Sequence, residues 1–175
     1  ISKFNINRFT NYKKKNQTKI NCRRFDICSK KFFNLKSSYD LIYLHGIIQH
    51  TKNPVLAIRN LVKKLNNNGI MWFYFYQLGS SKNIYLQLQR DIVKNSSVTL
   101  NYIKNFNFRK LSSIELDGLL DDILADYVHI LPSKFYSSLF SDIGLKVIYK
   151  KDLYESYLPS IKTSTPSCLI AFKKI

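Results

Sequence analysis

The residues best suited to chemistry lie in two short stretches. His45, Gly46 and His50 sit in LHGIIQH, and Tyr76 and Gln77 close IMWFYFYQ. Histidine titrates near neutrality, so His50 is a candidate general base; the plainer reading is that it orders the loop before Pro54. The cysteines are Cys22, Cys28 and Cys168, an odd number with no CxxC. Neither a disulfide framework nor a zinc site is expected, and no metal is implied. Buried thiols in a reducing compartment are the default.

Both stretches belong to one unit, Tyr39 to Tyr76. It reads as strand, loop, helix and strand, the unit from which parallel sheets are built. Asn53 can cap the helix and Pro54 suits its first position. Ile58, Leu61, Val62 and Leu65 fall on one face, and Gly69 can take a left-handed stop. The flanking runs are apolar rather than alternating, so both strands are expected to be covered on both faces. Ligands of such sheets bind beyond the carboxyl ends of the strands, where His45, Gly46, His50, Tyr76 and Gln77 would gather.

Around this unit the pattern is uneven. Ser2 could cap a weak helix with Ile6 and Phe9 inward, and INCRRFDIC at 20–28 could be a short strand ending at Asp26 or Ile27. Ile84, Tyr85, Leu88 and Ile92 suggest a helix ending near Asn95. Residues 114–127 read as a helix with Leu116, Leu119, Leu120, Ile123 and Leu124 inward. Ser133 caps a further helix that Gly144 stops. Leu145–Tyr149 and Cys168–Phe172 read as strands able to pair antiparallel at the sheet edge. No repeat or low-complexity linker appears, so one domain is expected over 1–175.

The chain has 175 residues, 28 Lys and Arg against 11 Asp and Glu, and a net charge of +17. RNA is a possible partner on that charge. The abundance of Lys with Asn, Ile, Tyr and Phe also fits an AT-rich coding bias, which would raise lysine on every solvated face. Trp72, Phe73, Tyr74 and Phe75 are most simply a buried strand; a base-stacking platform would need their rings on an open sheet face. No apolar run approaches membrane-spanning length and no signal-peptide core is present, so a cytoplasmic protein without membrane contact is expected.

YDLIYLHGIIQHTKNPVLAIRNLVKKLNNNGIMWFYFY resembles the middle of a class I S-adenosylmethionine-dependent methyltransferase. Asp40, Gly46, His50, Pro54 and Gly69 fit the family's order, and Gln49 stands where the first of two histidines is usual. Ser133–Ile143 followed by GLKVI resembles the approach to strand six, and FDI at 25–27 the end of strand three. The resemblance implies an α/β fold: a Rossmann-like, mostly parallel sheet with an antiparallel edge strand, incomplete at the N-terminus. Ile1-Ser2 looks like the tail of strand two. None of Gly46, Gly69, Gly79, Gly118 and Gly144 forms a GxG, so the Gly-rich loop is lacking.

With S-adenosylmethionine as cofactor, the resemblance implies that Asp26, with Ile27, meets the adenine, and that His45 and Gly46 pack along the cofactor. Tyr76, Gln77, Tyr127 and His129 would line the site of a small-molecule acceptor, shaped by an insertion over 77–132 between strands five and six. The alternatives are a basic nucleic-acid-binding domain and a methyltransferase-like partner that has lost its site.

Overall fold

The computed structural model describes residues 3–16, 21, 23–78, 81–95, 120, 122–153 and 167–175. In chain order the elements are α1 (Lys3–Asn16), α2 (Lys30–Phe33), β1 (Tyr39–His45), a 3-10 turn (Ile48–His50), α3 (Pro54–Val62), β2 (Leu65–Tyr76), α4 (Ser81–Asn95), α5 (Ser133–Asp142), β3 (Leu145–Leu153) and β4 (Ser167–Lys174). The sheet order is β1-β2-β4-β3. β1 and β2 are parallel, and β4 runs antiparallel to both β2 and β3. Three of the four strands therefore share one direction. The reversed strand β4 lies one position in from the edge formed by β3.

The central unit forms as its residues dictate. Asn53 accepts a hydrogen bond from the Leu56 N–H at 3.0 Å and Pro54 opens α3. Both satisfy demands of a helix N-terminus, an orphan donor in one case and a missing N–H in the other. Ala57, Ile58, Leu61 and Val62 are buried against the sheet. On the same face α5 inserts Tyr136 and Phe140, whose rings meet Phe73 edge-on at 5.2 and 5.3 Å. Phe140 also stacks on Phe172 of β4 at 4.0 Å. Burying rings of this size is the main apolar contribution to the core.

Several expectations are corrected. Gly69 does not stop α3: the helix ends at Val62, Lys64 N–H bonds the Leu61 carbonyl, and Gly69 lies inside β2. The positive φ falls on Asn68 at 62°. Leu65 already pairs with Tyr39, while Ile70 pairs with Leu41, so residues 66–69 bulge out between them. A Cβ on Gly69 would come within 2.9 Å of the Asn66 carbonyl and the Leu65 side chain, so the bulge itself requires the glycine.

Among the described residues, 21 and 23–28 form no strand. Asp26 instead builds a turn, its Oδ1 accepting from Cys28 N–H at 2.9 Å and its carbonyl from Ser29 N–H at 3.0 Å. A side chain that captures the backbone two residues on competes with a strand ladder. The segment still docks beside α3: Asn60 Nδ2 donates to the Ile27 carbonyl at 2.9 Å and Cys28 Sγ to the Asn53 carbonyl at 3.5 Å.

β1 is not covered on both faces, whereas in β2 even the outward-facing Tyr74 is buried. β1 alternates, with Ile42 and Leu44 buried but Leu41 and Tyr43 each 60% exposed. Helices α3 and α5 pack on the side of Ile42 and Leu44, so the period of two reappears in β1.

The remaining helices mix agreement and correction. α4 spans its expected range, but Ile84, Tyr85, Leu88 and Ile92 are exposed while Asn83, Leu86 and Arg90 are buried. Leu124 is exposed and Ile123 buried; Leu116 and Leu119 lie outside the described residues. Pro132, not Ser133, is the N-cap of α5, without a side-chain bond. Gly144 does terminate that helix, at φ 79°. No helix among the described residues is long and apolar enough to cross a membrane.

Candidate functional site

The parallel pairing of β1 and β2 sets His45 opposite Tyr74, so His45 and Tyr76 share one end of the sheet. That end is the carboxyl end of three strands, and the polar groups collect there. Gly46 leaves β1 at φ 62°, a conformation that disfavours any side chain. Its N–H bonds the Tyr74 carbonyl at 3.2 Å, which ties the loop to β2.

The 3-10 turn then delivers Gln49 and His50. His50 Nδ1 lies 3.2 Å from the Tyr127 carbonyl and Nε2 3.4 Å from Asp122 Oδ1. Tyr76 donates its hydroxyl to Asp122 Oδ2 at 2.8 Å, and its ring meets His50 edge-on at 6.3 Å. Asp122 is thus the hub: one carboxylate holds a histidine from the turn and a tyrosine from the tip of β2. Both nitrogens of His50 face oxygen atoms, so in this arrangement the imidazole anchors segment 122–127 over the strand ends.

The rest of that segment is fastened by His129 and Arg90. His129 N–H donates to the Gln49 carbonyl at 2.8 Å and its Nε2 lies 3.0 Å from the Thr51 carbonyl. Arg90 of α4, 3% exposed, donates to the carbonyls of Asp122, Ile123 and Ala125. Burial pulls its guanidinium pKa down, and the charges of Asp122, Asp91 and Asp126 oppose that pull. Carbonyls left bare at a helix end need such a donor.

Four of the expected residues therefore meet: His50, Tyr76, Tyr127 and His129. Tyr127 contributes its carbonyl, and its ring lies parallel to that of His129 at 6.4 Å. Gln77 turns elsewhere, donating to Asp152 of β3 at 2.9 Å and bridging to Leu131. His45 lies on the open face of the sheet, stacked on Tyr74 at 4.3 Å. Asp26 and Ile27 sit beside α3 in their turn rather than on a strand tip.

Two residues of the site, Asp122 and Arg90, were not singled out from sequence, and a third, Gln49, was noted only for its place in the family's order. Asp122 is one of five acids between residues 115 and 126, a crowding that marks the region but not the partner. Arg90 had no signal: it is one of three basic residues of α4, with Lys82 and Lys94, and nothing in the sequence set it apart from them. Gln49 is fully buried with neither amide atom bonded, and a Cβ on Gly46 would stand 3.5 Å from its Nε2. Its place in the histidine position was visible; its burial was not.

Beside the tips runs an apolar groove of about 400 Å³, bounded by Leu78, Ile84 and Leu88 on one side and Val128 and Ile130 on the other. It is of the size of a small-ligand site.

No protein-family model matches the chain, and no curated protein does. Solved structures do. PKMT2 from Rickettsia typhi in complex with AdoHcy superposes with a TM-score of 0.65 at 10% identity, over 99% of this chain and 43% of that one. An S-adenosylmethionine-dependent methyltransferase from Clostridium acetobutylicum gives 0.59 at 10% identity, over 99% and 72%. An O-methyltransferase family protein from Burkholderia thailandensis gives 0.57 at 9% identity, over 95% and 39%. The chain thus spans less than half the length of two of the three. The likeness establishes the fold: the Rossmann-like α/β fold of class I S-adenosylmethionine-dependent methyltransferases.

Proposed function

We propose that this chain contributes the acceptor side of a site that transfers a methyl group from S-adenosylmethionine to a small-molecule acceptor. The observation that carries the reading is the strand order β1-β2-β4-β3, in the fold of methyltransferases, with a polar network over the carboxyl ends of β1 and β2. Fold alone does not fix chemistry, so the network matters as much as the topology.

The residues at the tips suit such a cofactor in part. Gly46 lets backbone approach closely, and the unbonded amide of Gln49 beneath it could pair with a ligand's donor and acceptor edges. Asp26 keeps one carboxylate oxygen outside its turn, and places an acid beside the start of α3. No GxG is present among the five glycines, so the grip on the cofactor would have to come from other residues. When bound, the cofactor supplies a methyl group already activated by its positive sulfur.

The protein's task is then chiefly positioning. The groove beside Leu78, Leu88 and Val128 would hold an acceptor with an apolar body. Asp122, held by Tyr76 and His50, is the carboxylate that in this reading takes a proton from an acceptor O–H or N–H. His50 acts there as a base only if its contact with Tyr127 or Asp122 opens; otherwise it positions Asp122.

Calorimetric titration with S-adenosylhomocysteine, on this chain and on the gene product at its full natural length, tests the reading. Saturable binding by the full product, lost with Gly46→Val, is expected. Absence of binding by either protein would sink the enzyme reading.

A further inference from the structure

The open face of the sheet carries an ordered set of rings and lysines. Alternation and register place Tyr43, Trp72, Ala171 and Tyr149 in one row across all four strands. Tyr43 is 60% exposed and Tyr149 43%. Trp72 and Tyr149 lean together over the small Ala171, parallel to within 14° at 5.7 Å. One row along, His45 lies between Tyr74, at 4.3 Å, and Tyr43, at 6.1 Å, all three nearly parallel. Tyr43 and Tyr149 are the exposed members of these stacks, with Trp72 half-buried and Tyr74 buried, so Tyr43 and Tyr149 offer the ring surface that a flat heterocycle needs to extend them.

The charge on this face is of one sign. Lys173 and Lys146 pair across β4 and β3 in the row beyond Trp72, and Lys151 pairs with Leu169 in the row beyond Tyr149. All three lysines are exposed. The acids of these strands, Asp40 and Asp152, alternate onto the other face, where Asp40 accepts from Asn66 and Asp152 from Gln77. A second copy of the chain would set six such lysines against one another with no acid between, on a molecule of net charge +17. A polyanion that also carries π-faces fits both features.

We propose that the open sheet face binds single-stranded nucleic acid, with bases stacking on Tyr43, Trp72 and Tyr149 and phosphates meeting Lys146, Lys151 and Lys173. The assignment does not depend on the methyl-transfer reading. Base stacking on aromatic side chains tolerates any sequence, and RNA and DNA share the chemistry used here.

Trp72 is the chain's single tryptophan, so it reports on the face directly. The experiment titrates the chain with short oligouridylate and with oligothymidylate at rising salt, following Trp72 fluorescence. Saturable quenching is expected, weakening steeply with salt. Tyr43→Ala and Tyr149→Ala, both at exposed positions, should each weaken binding about ten-fold. Lys146→Gln and Lys173→Gln should each lower the log–log salt slope by about one. Stronger quenching by oligouridylate than by oligothymidylate would assign RNA as the ligand, and the reverse DNA.

Four results would overturn the proposal. One is the absence of saturable quenching. Another is quenching by polyglutamate as strong as by either oligonucleotide, which would mean an acidic polypeptide site. The third is a self-associated species in sedimentation that dissociates on Tyr43→Ala, which would mean a second copy holds the face. Loss of binding on neutralising Lys13, Lys14 and Lys15 of α1, with the two tyrosine variants unaffected, would equally refute it.

Discussion

Replacing Tyr136 by Phe should make the protein more stable. Tyr136 is fully buried on α5, its ring 4.3 Å from Phe75 and 5.2 Å from Phe73. Its hydroxyl makes no hydrogen bond. A buried polar group left unpaired costs about 1–3 kcal/mol, whereas the oxygen itself contributes little packing. Allowing for the small void left behind, the gain should be about 1 kcal/mol. With a urea dependence of about 2 kcal/mol/M, the unfolding midpoint should rise by about 0.5 M. A pH series adds a second readout. Burial pushes the Tyr136 pKa well above its ordinary value. The folded state then holds the proton more tightly than the unfolded chain, so the associated stability is complete below about pH 10 and fades as pH rises above it. Tyr136→Phe lacks that term, and its advantage over the parent should widen in alkali. A fall of 1 kcal/mol or more at neutral pH would refute the reasoning, because it would mean the hydroxyl has a partner whose loss is felt.

Other perturbations reach different parts of the molecule. Burial, reinforced by the Asp152 carboxylate, pushes the Cys168 thiol up to about 12. In a Cys22→Ser background, Ellman's reagent at pH 8 should therefore modify Cys28 well before Cys168; equal rates would contradict that burial. Arg90→Met should cost about 2–4 kcal/mol, since three carbonyls lose a charged donor, and should speed amide exchange in residues 122–129 ahead of the sheet. Gly46→Ala places a side chain at φ 62° and should destabilise by about 1–2 kcal/mol, read as a lowered thermal midpoint. Phe140→Ala removes a ring shared by Phe73 and Phe172 and should cost about 3–5 kcal/mol by the same measurement.

By itself the sequence determined the local elements. Asn53, Pro54 and Gly144 act through their own backbone geometry, so α3 begins and α5 ends where those residues stand. The runs Tyr39–His45 and Ile70–Tyr76 are strands because β-branched and aromatic residues crowd them. The order of elements then implied a parallel pair with its loops at one end, and His45, His50 and Tyr76 do share that end. Tertiary structure decided whatever depended on partners far along the chain. Nothing near His50 specified that Asp122, 72 positions away in the numbering, would face it. Nothing near Asp26 showed that its own turn would win over a strand, since a strand needs a neighbour to hydrogen-bond. Nor could an apolar run reveal which of its faces would be covered. Helices α3 and α5 both settled on one side, and their choice alone buried Phe73 and left Tyr43 in the open.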